Sequence, residues 1–141
     1  MPCLRAMVLL PLAAAAPAQQ AQAAEPPIGI ELNRLESLPQ GCRAWLMLRN
    51  PGAEALDPFR LDLVLFGRDG VVARRLAVDV GPLPGAKTMA KVFDVAGLGC
   101  DRIGAMLLND LLACGPDATA RAACLARLGT SSRVPEVSFD K

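Results

Sequence analysis

Acid–base chemistry at neutral pH runs most often through histidine, and this chain of 141 residues contains none. Serine or cysteine nucleophiles that depend on an imidazole base are therefore excluded, as are mixed Cys/His metal sites. A Ser-Lys pair needs no histidine, but Ser37, Ser131, Ser132 and Ser138 stand in no recognisable nucleophile motif. Two carboxylates are another route, since a proton donor and a nucleophile suffice to cleave a glycosidic bond. Asp62, Asp79, Asp94, Asp101 and Asp110 lie in or beside expected strands. Sugar clefts usually offer aromatic platforms, however, and the chain has one tryptophan, four phenylalanines and no tyrosine. The plainer reading makes these acids solvated strand-face and turn residues, and no D-x-D-x-D-G loop presents them to calcium. The expectation is a protein without catalytic residues, metal or cofactor. The alternative is a small carbohydrate-active or carbohydrate-binding protein that uses surface carboxylates.

The cysteines carry a different kind of chemistry. Arg5, the apolar run Ala6 to Ala16 and the small, polar stretch Pro17 to Ala24 follow the order of a secretory signal peptide. Ala21-Gln22-Ala23 places small residues where signal peptidase inspects them, so cleavage is expected after Ala23, with Ala24 as a near alternative. The run is too short for a bilayer, which needs about 20 residues, and Pro11 interrupts it. Residues 1–23 are thus expected to leave, and residues 24–141 to form one domain. Abundant Ala, Arg, Gly and Pro is what GC-rich codons produce, which points to a bacterial, periplasmic or secreted protein. Cys3 leaves with the signal, so four of the five cysteines remain: Cys42, Cys100, Cys114 and Cys124. An even number without C-x-x-C spacing, in an oxidising compartment, predicts two structural disulfides. Once Arg5 is gone, 14 basic residues face 14 acidic ones. A neutral domain has no field to collect nucleic acid or acidic lipid, and no stable membrane insertion is expected after cleavage.

The elements that would position these residues read as strands. Phe59, Leu61, Leu63 and Leu65 alternate with Arg60 and Asp62, and Gly67-Arg68-Asp69-Gly70 then turns the chain into the run Val71 to Val80, a hairpin signature. Ile28, Ile30 and Leu32 alternate upstream, as do Cys42, Ala44, Leu46 and Leu48; Met89, Lys91, Phe93 and Val95 alternate downstream. The segment Arg102 to Ala113 fits either a strand or a helical stripe of Ile103, Met106, Leu107 and Leu111; strand-like neighbours, Gly104 and Asn109 favour the strand. Residues 116–123 read as a connection or short helical turn, Leu125 to Ser132 as a last strand, and Val134 to Lys141 as a surface tail. Alternating strand directions put Cys42 and Cys100 at one end and Cys114 and Cys124 at the other. A nine-residue strand spans roughly 30 Å, far beyond the roughly 7 Å a disulfide tolerates between Cα atoms. The predicted bridges are Cys42–Cys100 and Cys114–Cys124.

About seven short strands in such a length make an all-β, antiparallel sandwich. In the order of its strands and in the runs Cys42 to Asn50 and Leu61 to Gly70, the chain resembles exported bacterial domains of immunoglobulin or fibronectin type III kind. The resemblance is architectural and carries no functional residues. Cys42 and Trp45 lie too close together for the strand-B cysteine and strand-C tryptophan of true immunoglobulin domains.

What remains is a surface. Trp45 shares a strand face with Arg43, Met47 and Arg49. It is core if another strand or the tail covers that face, and an interface patch if nothing does. Arg74 and Arg75 are adjacent on a strand, so one should face the core side beside Val72, Leu76 and Val78 unless a bulge turns both outward. A buried pair with Asp62 across the hairpin is the other way to settle it. The expected function is a non-catalytic envelope module that binds or assembles with another envelope protein.

Overall fold

The computed structural model describes residues 17–18 and 26–141. The expected signal peptide, residues 1–23, lies outside the described residues apart from Pro17 and Ala18. From there the chain runs through β1 (Ile28–Leu38), β2 (Gly41–Asn50), β3 (Phe59–Gly67), β4 (Val72–Asp79) and β5 (Lys87–Ala96). A single 3-10 turn (Cys100–Arg102) leads into β6 (Ile103–Cys114), followed by the helix α1 (Ala118–Arg127), β7 (Leu128–Ser132) and β8 (Ser138–Asp140).

Period-two burial sorts these strands into two four-stranded sheets, β5-β2-β1-β7 and β4-β3-β6-β8. Ile28, Ile30 and Leu32 of β1 and Ala44, Leu46 and Leu48 of β2 are buried opposite Phe59, Leu61, Leu63 and Leu65 of β3. At about 25 cal/mol per Å² of apolar surface removed from water, burial of such side chains is the dominant stabilising term. The β3–β4 hairpin turns where expected: Gly70 N–H donates to the Gly67 carbonyl (3.0 Å), and Gly70 adopts φ +79°, a conformation that glycine reaches without a Cβ clash.

The ambiguous segment is a strand, and its helix-like spacing has a structural cause. The register of β6 against β3 slips between Arg60 and Leu61, between Asp62 and Leu63, and again at Phe66. Each slip inserts an extra residue, so buried positions fall at Ile103, Met106, Leu108, Leu111 and Cys114 rather than at strict alternation.

Three expectations are corrected at the C-terminus. Leu125 belongs to α1, not to the last strand, because Asp117 caps a helix by accepting from Ala120 N–H (2.8 Å) and the helix continues to Arg127. The supposed surface tail contains an eighth strand, with Val137 and Phe139 buried. The sheets are not wholly antiparallel: β7 runs parallel to β1, and β8 parallel to β6. Both parallel partners arrive through long connections, which parallel pairing requires.

Both disulfides join the expected cysteines. Cys42–Cys100 spans a Cα separation of 4.9 Å and Cys114–Cys124 one of 6.3 Å. Cys42 pairs in register with Val95 at the end of β5, so the chain needs only the turn after Ala96 to bring Cys100 back to it. At the other end of β2, buried Asn50 donates to the carbonyls of Glu54 (2.8 Å), Leu83 (3.3 Å) and Pro84 (3.2 Å) and accepts from Gly52 N–H. One side chain thereby ties two loops to the sheet.

Candidate interaction surface

Because the even-numbered residues of β2 from Cys42 to Asn50 are buried, Arg43, Trp45, Met47 and Arg49 must point out of the first sheet. The register supplies their neighbours. On the β5 side stand Asp94, Val92, Ala90 and Thr88; on the β1 side stand Glu36, Arg34, Glu31 and Gly29. Trp45 is half-buried and is not core. Its indole N–H donates to Glu36 Oε2 at 3.0 Å, so the ring is held across β1 with its one polar atom satisfied.

The flanks of the ring are fixed by ion pairs. Arg43 grips Asp94 through two bonds, Nε to Oδ1 at 2.7 Å and Nη2 to Oδ2 at 3.0 Å. That hydrogen bonding holds the Asp94 carboxyl below the usual aspartate range and raises the Arg43 guanidinium. On the other flank, Glu31 accepts from Asn33 Nδ2 (2.8 Å) and from Arg133 Nε (2.9 Å), which lower its pKa in that order of importance. A shallow depression bounded by Glu31, Met47, Arg49, Thr88 and Arg133 continues the face towards β7.

Of the surface residues singled out in the sequence, the structure brings Arg43, Trp45, Met47 and Arg49 together and places Arg74 and Arg75 elsewhere. Ala73 is the bulged residue opposite the Leu65–Phe66 step, and beyond it the strand alternates normally. The bulge does not turn both arginines to one side. Arg75 lies on the outer face of the second sheet, where its Nε and Nη2 bind both oxygens of Asp62 at 2.9 and 2.8 Å. Asn109 Nδ2 adds a third bond to the same carboxylate at 2.7 Å. The Asp62 carboxyl is therefore held below its ordinary value, chiefly by Arg75 and then by Asn109. Arg74 points instead into the gap between the sheets, where its guanidinium reaches the Ala96 carbonyl at 3.4 Å.

Four of the five acids considered for glycoside chemistry, Asp62, Asp79, Asp94 and Asp110, are committed to structural bonds. Asp79 accepts from Gly81 N–H at a turn (2.8 Å), and Asp110 accepts from Leu111 N–H and pairs with Arg121. Asp62 and Asp94 have lowered pKa values, the opposite of what a general acid near neutral pH requires. Among the described residues no group of three or more acidic or sulfur side chains converges as a metal site. The arrangement on this face is an oriented, half-buried ring, an exposed arginine and ion pairs on its flanks.

Glu36, Val92 and Arg133 were not singled out in the sequence, and Asp94 was considered only as a candidate catalytic acid, because membership of this face depends on cross-strand register and on Arg133, 102 residues from Glu31. No family model, curated protein or solved structure matches this chain.

Proposed function

We propose that the chain is an exported, non-catalytic binding or assembly module that engages another protein of the cell envelope through the Trp45 face of its first sheet. The observation that carries this reading is the position of Trp45: on the solvent side of a rigid sheet, half-exposed, with its N–H already paired to Glu36. A partner that covers the ring gains apolar burial without stranding a buried donor. The neighbouring arginines suit the same role, since tryptophan and arginine dominate the energetically critical positions of protein interfaces. Two disulfides fit an oxidising compartment. No helix among the described residues is long and apolar enough to cross a membrane.

The test is capture of a partner from envelope extract on the immobilised protein, followed by affinity measurement with that partner. Trp45→Ala is expected to weaken binding roughly thirtyfold, the scale of an interface hot spot. The same substitution should cost the fold only about 1 kcal/mol, the order of a lost cross-strand pair. Equal recovery by wild type and Trp45→Ala, or no recovery by either, removes the Trp45 face from the proposal.

A further inference from the structure

We infer that the free edge of β4 receives an extended segment of a partner protein by strand addition, and that this segment presents an acidic side chain to Arg74. The site is separate from the Trp45 face and does not depend on it.

Three observations converge on this edge. First, β4 pairs with β3 on one side and with no described strand on the other, whereas β7 and β8 lie against each other and close the opposite side of the sandwich. Val80 N–H donates to the Phe59 carbonyl at 2.9 Å. The alternation of an antiparallel ladder then turns the backbone N–H and C=O of Arg75 and Ala77 away from β3, towards the open edge.

Second, two depressions lie in line along it. One, where β4 begins, sets Val71, Val72 and Leu98 beside the charged Asp69 and Arg102, and the other sets Leu76, Val78 and Phe93 beside Asp79 and Lys91. Val71 and Val72 are 63% and 56% exposed, the most exposed large apolar side chains among the described residues.

Third, Arg74 stands between these depressions. Its guanidinium donates only to the carbonyls of Ala73 (2.9 Å) and Ala96 (3.4 Å), and no described carboxylate pairs with it.

An incoming strand shows the gap every second side chain. The position that meets Arg74 therefore faces a guanidinium that lacks a counter-ion, with a depression of mixed polar and apolar lining on either side. Charge complementarity selects a partner over a second copy of this chain. The inward face of β4 offers Arg74, Leu76 and Val78, and that of β5 offers Met89, Lys91, Phe93 and Val95, so neither edge brings an acid to Arg74.

The probe is a capped seven-residue peptide, Thr-Val-Thr-Asp-Thr-Val-Thr, compared with the same peptide carrying lysine at its centre. Titration into the purified, isotopically labelled protein is expected to shift the amides of Arg75 and Ala77 and slow their exchange with solvent. The lysine peptide should bind at least roughly fivefold more weakly, the scale of a cross-strand ion pair. Arg74→Glu should reverse the preference. Ala77→Pro removes an edge-facing N–H without taking a bond from β3, so it should abolish binding while the cooperative melt is retained. Trp45→Ala should bind the peptide as wild type does, so failure here is distinguishable from failure of the Trp45 face. Equal binding of the two peptides, binding that survives Ala77→Pro, or no saturable binding overturns the inference. So does a dimer dissolved by Ala77→Pro, which places a second copy on the edge. Self-association of Arg74→Ala without peptide binding by wild type also overturns it, because Arg74 then only guards the edge.

Discussion

Replacing Cys42 and Cys100 together by alanine is expected to cost about 4 kcal/mol of stability, against about 3 kcal/mol for the Cys114/Cys124 pair. The difference follows from the loops the bridges close: the first joins residues 58 apart in sequence, the second residues only 10 apart. Cross-linking removes more conformational freedom from an unfolded chain when the closed loop is longer. A domain of this size holds some 5–15 kcal/mol in total, so loss of the first bridge should bring the protein close to its unfolding threshold. It should also reach the candidate surface. Cys42 immediately precedes Arg43, and its partner fixes the turn that returns from β5, so the Arg43–Asp94 pair beside Trp45 should loosen before the middle of the sheet does. Urea unfolding of the two double-alanine variants checks the order, and amide exchange at Arg43 and Asp94 checks the local effect. Equal losses, or a larger loss for the short loop, would contradict the loop-entropy account.

The bridges were legible in the sequence because they depend on strand direction alone, and direction survives errors in strand boundaries. The hairpin at Gly67 to Gly70 was legible for the same kind of reason: the turn residues and both flanking patterns agree. Local pattern could not supply the bulges. Ile103, Met106 and Leu111 imitate a helical stripe only because β6 slips against β3, and a slip is a property of two strands together. The tail shows the same limit. Val137 and Phe139 sit among Ser, Pro and acidic residues, so residues 134–141 looked like solvent-facing chain, yet burying those two side chains against β6 creates a strand of three residues. At the surface, Trp45 and its arginines could be grouped by period two, whereas Glu36, Asp94 and Arg133 joined them only through register. The Arg74-Arg75 puzzle was posed correctly by alternation, and Asp62 was the right partner for one arginine. Which arginine took it depended on the single bulge at Ala73.

That pairing gives the second large expected effect: Asp62→Ala should destabilise the protein by about 2 kcal/mol at pH 7, the scale of charge-assisted hydrogen bonds lost together. The Asp62 side chain is only 5% exposed although it lies on an outer sheet face, because Arg75 and Asn109 cover it. Arg75 itself is 67% exposed, so once released it returns to water at little cost, and the loss falls mainly on the carboxylate's own bonds. The pH dependence has a definite sign. Hydrogen bonds from Arg75 and then Asn109 hold the folded pKa of Asp62 below its unfolded value. Its stabilisation is therefore fully present above about pH 4, the unfolded aspartate range, and is lost as pH falls through the lower folded value. Asp94 and Glu31 are lowered too and steepen the acid loss of the whole protein. The gap between wild type and Asp62→Ala isolates one carboxylate, and it should shrink steadily on acidification below about pH 4. Because Asp62 and Arg75 join β3 to β4 across the strand pair, the same substitution should speed amide exchange along β4 more than along β2. Chemical denaturation from pH 7 downwards provides the first measurement and native-state exchange the second; a gap that stays constant with pH would show that Asp62 stabilises the sheet by packing rather than by its charge.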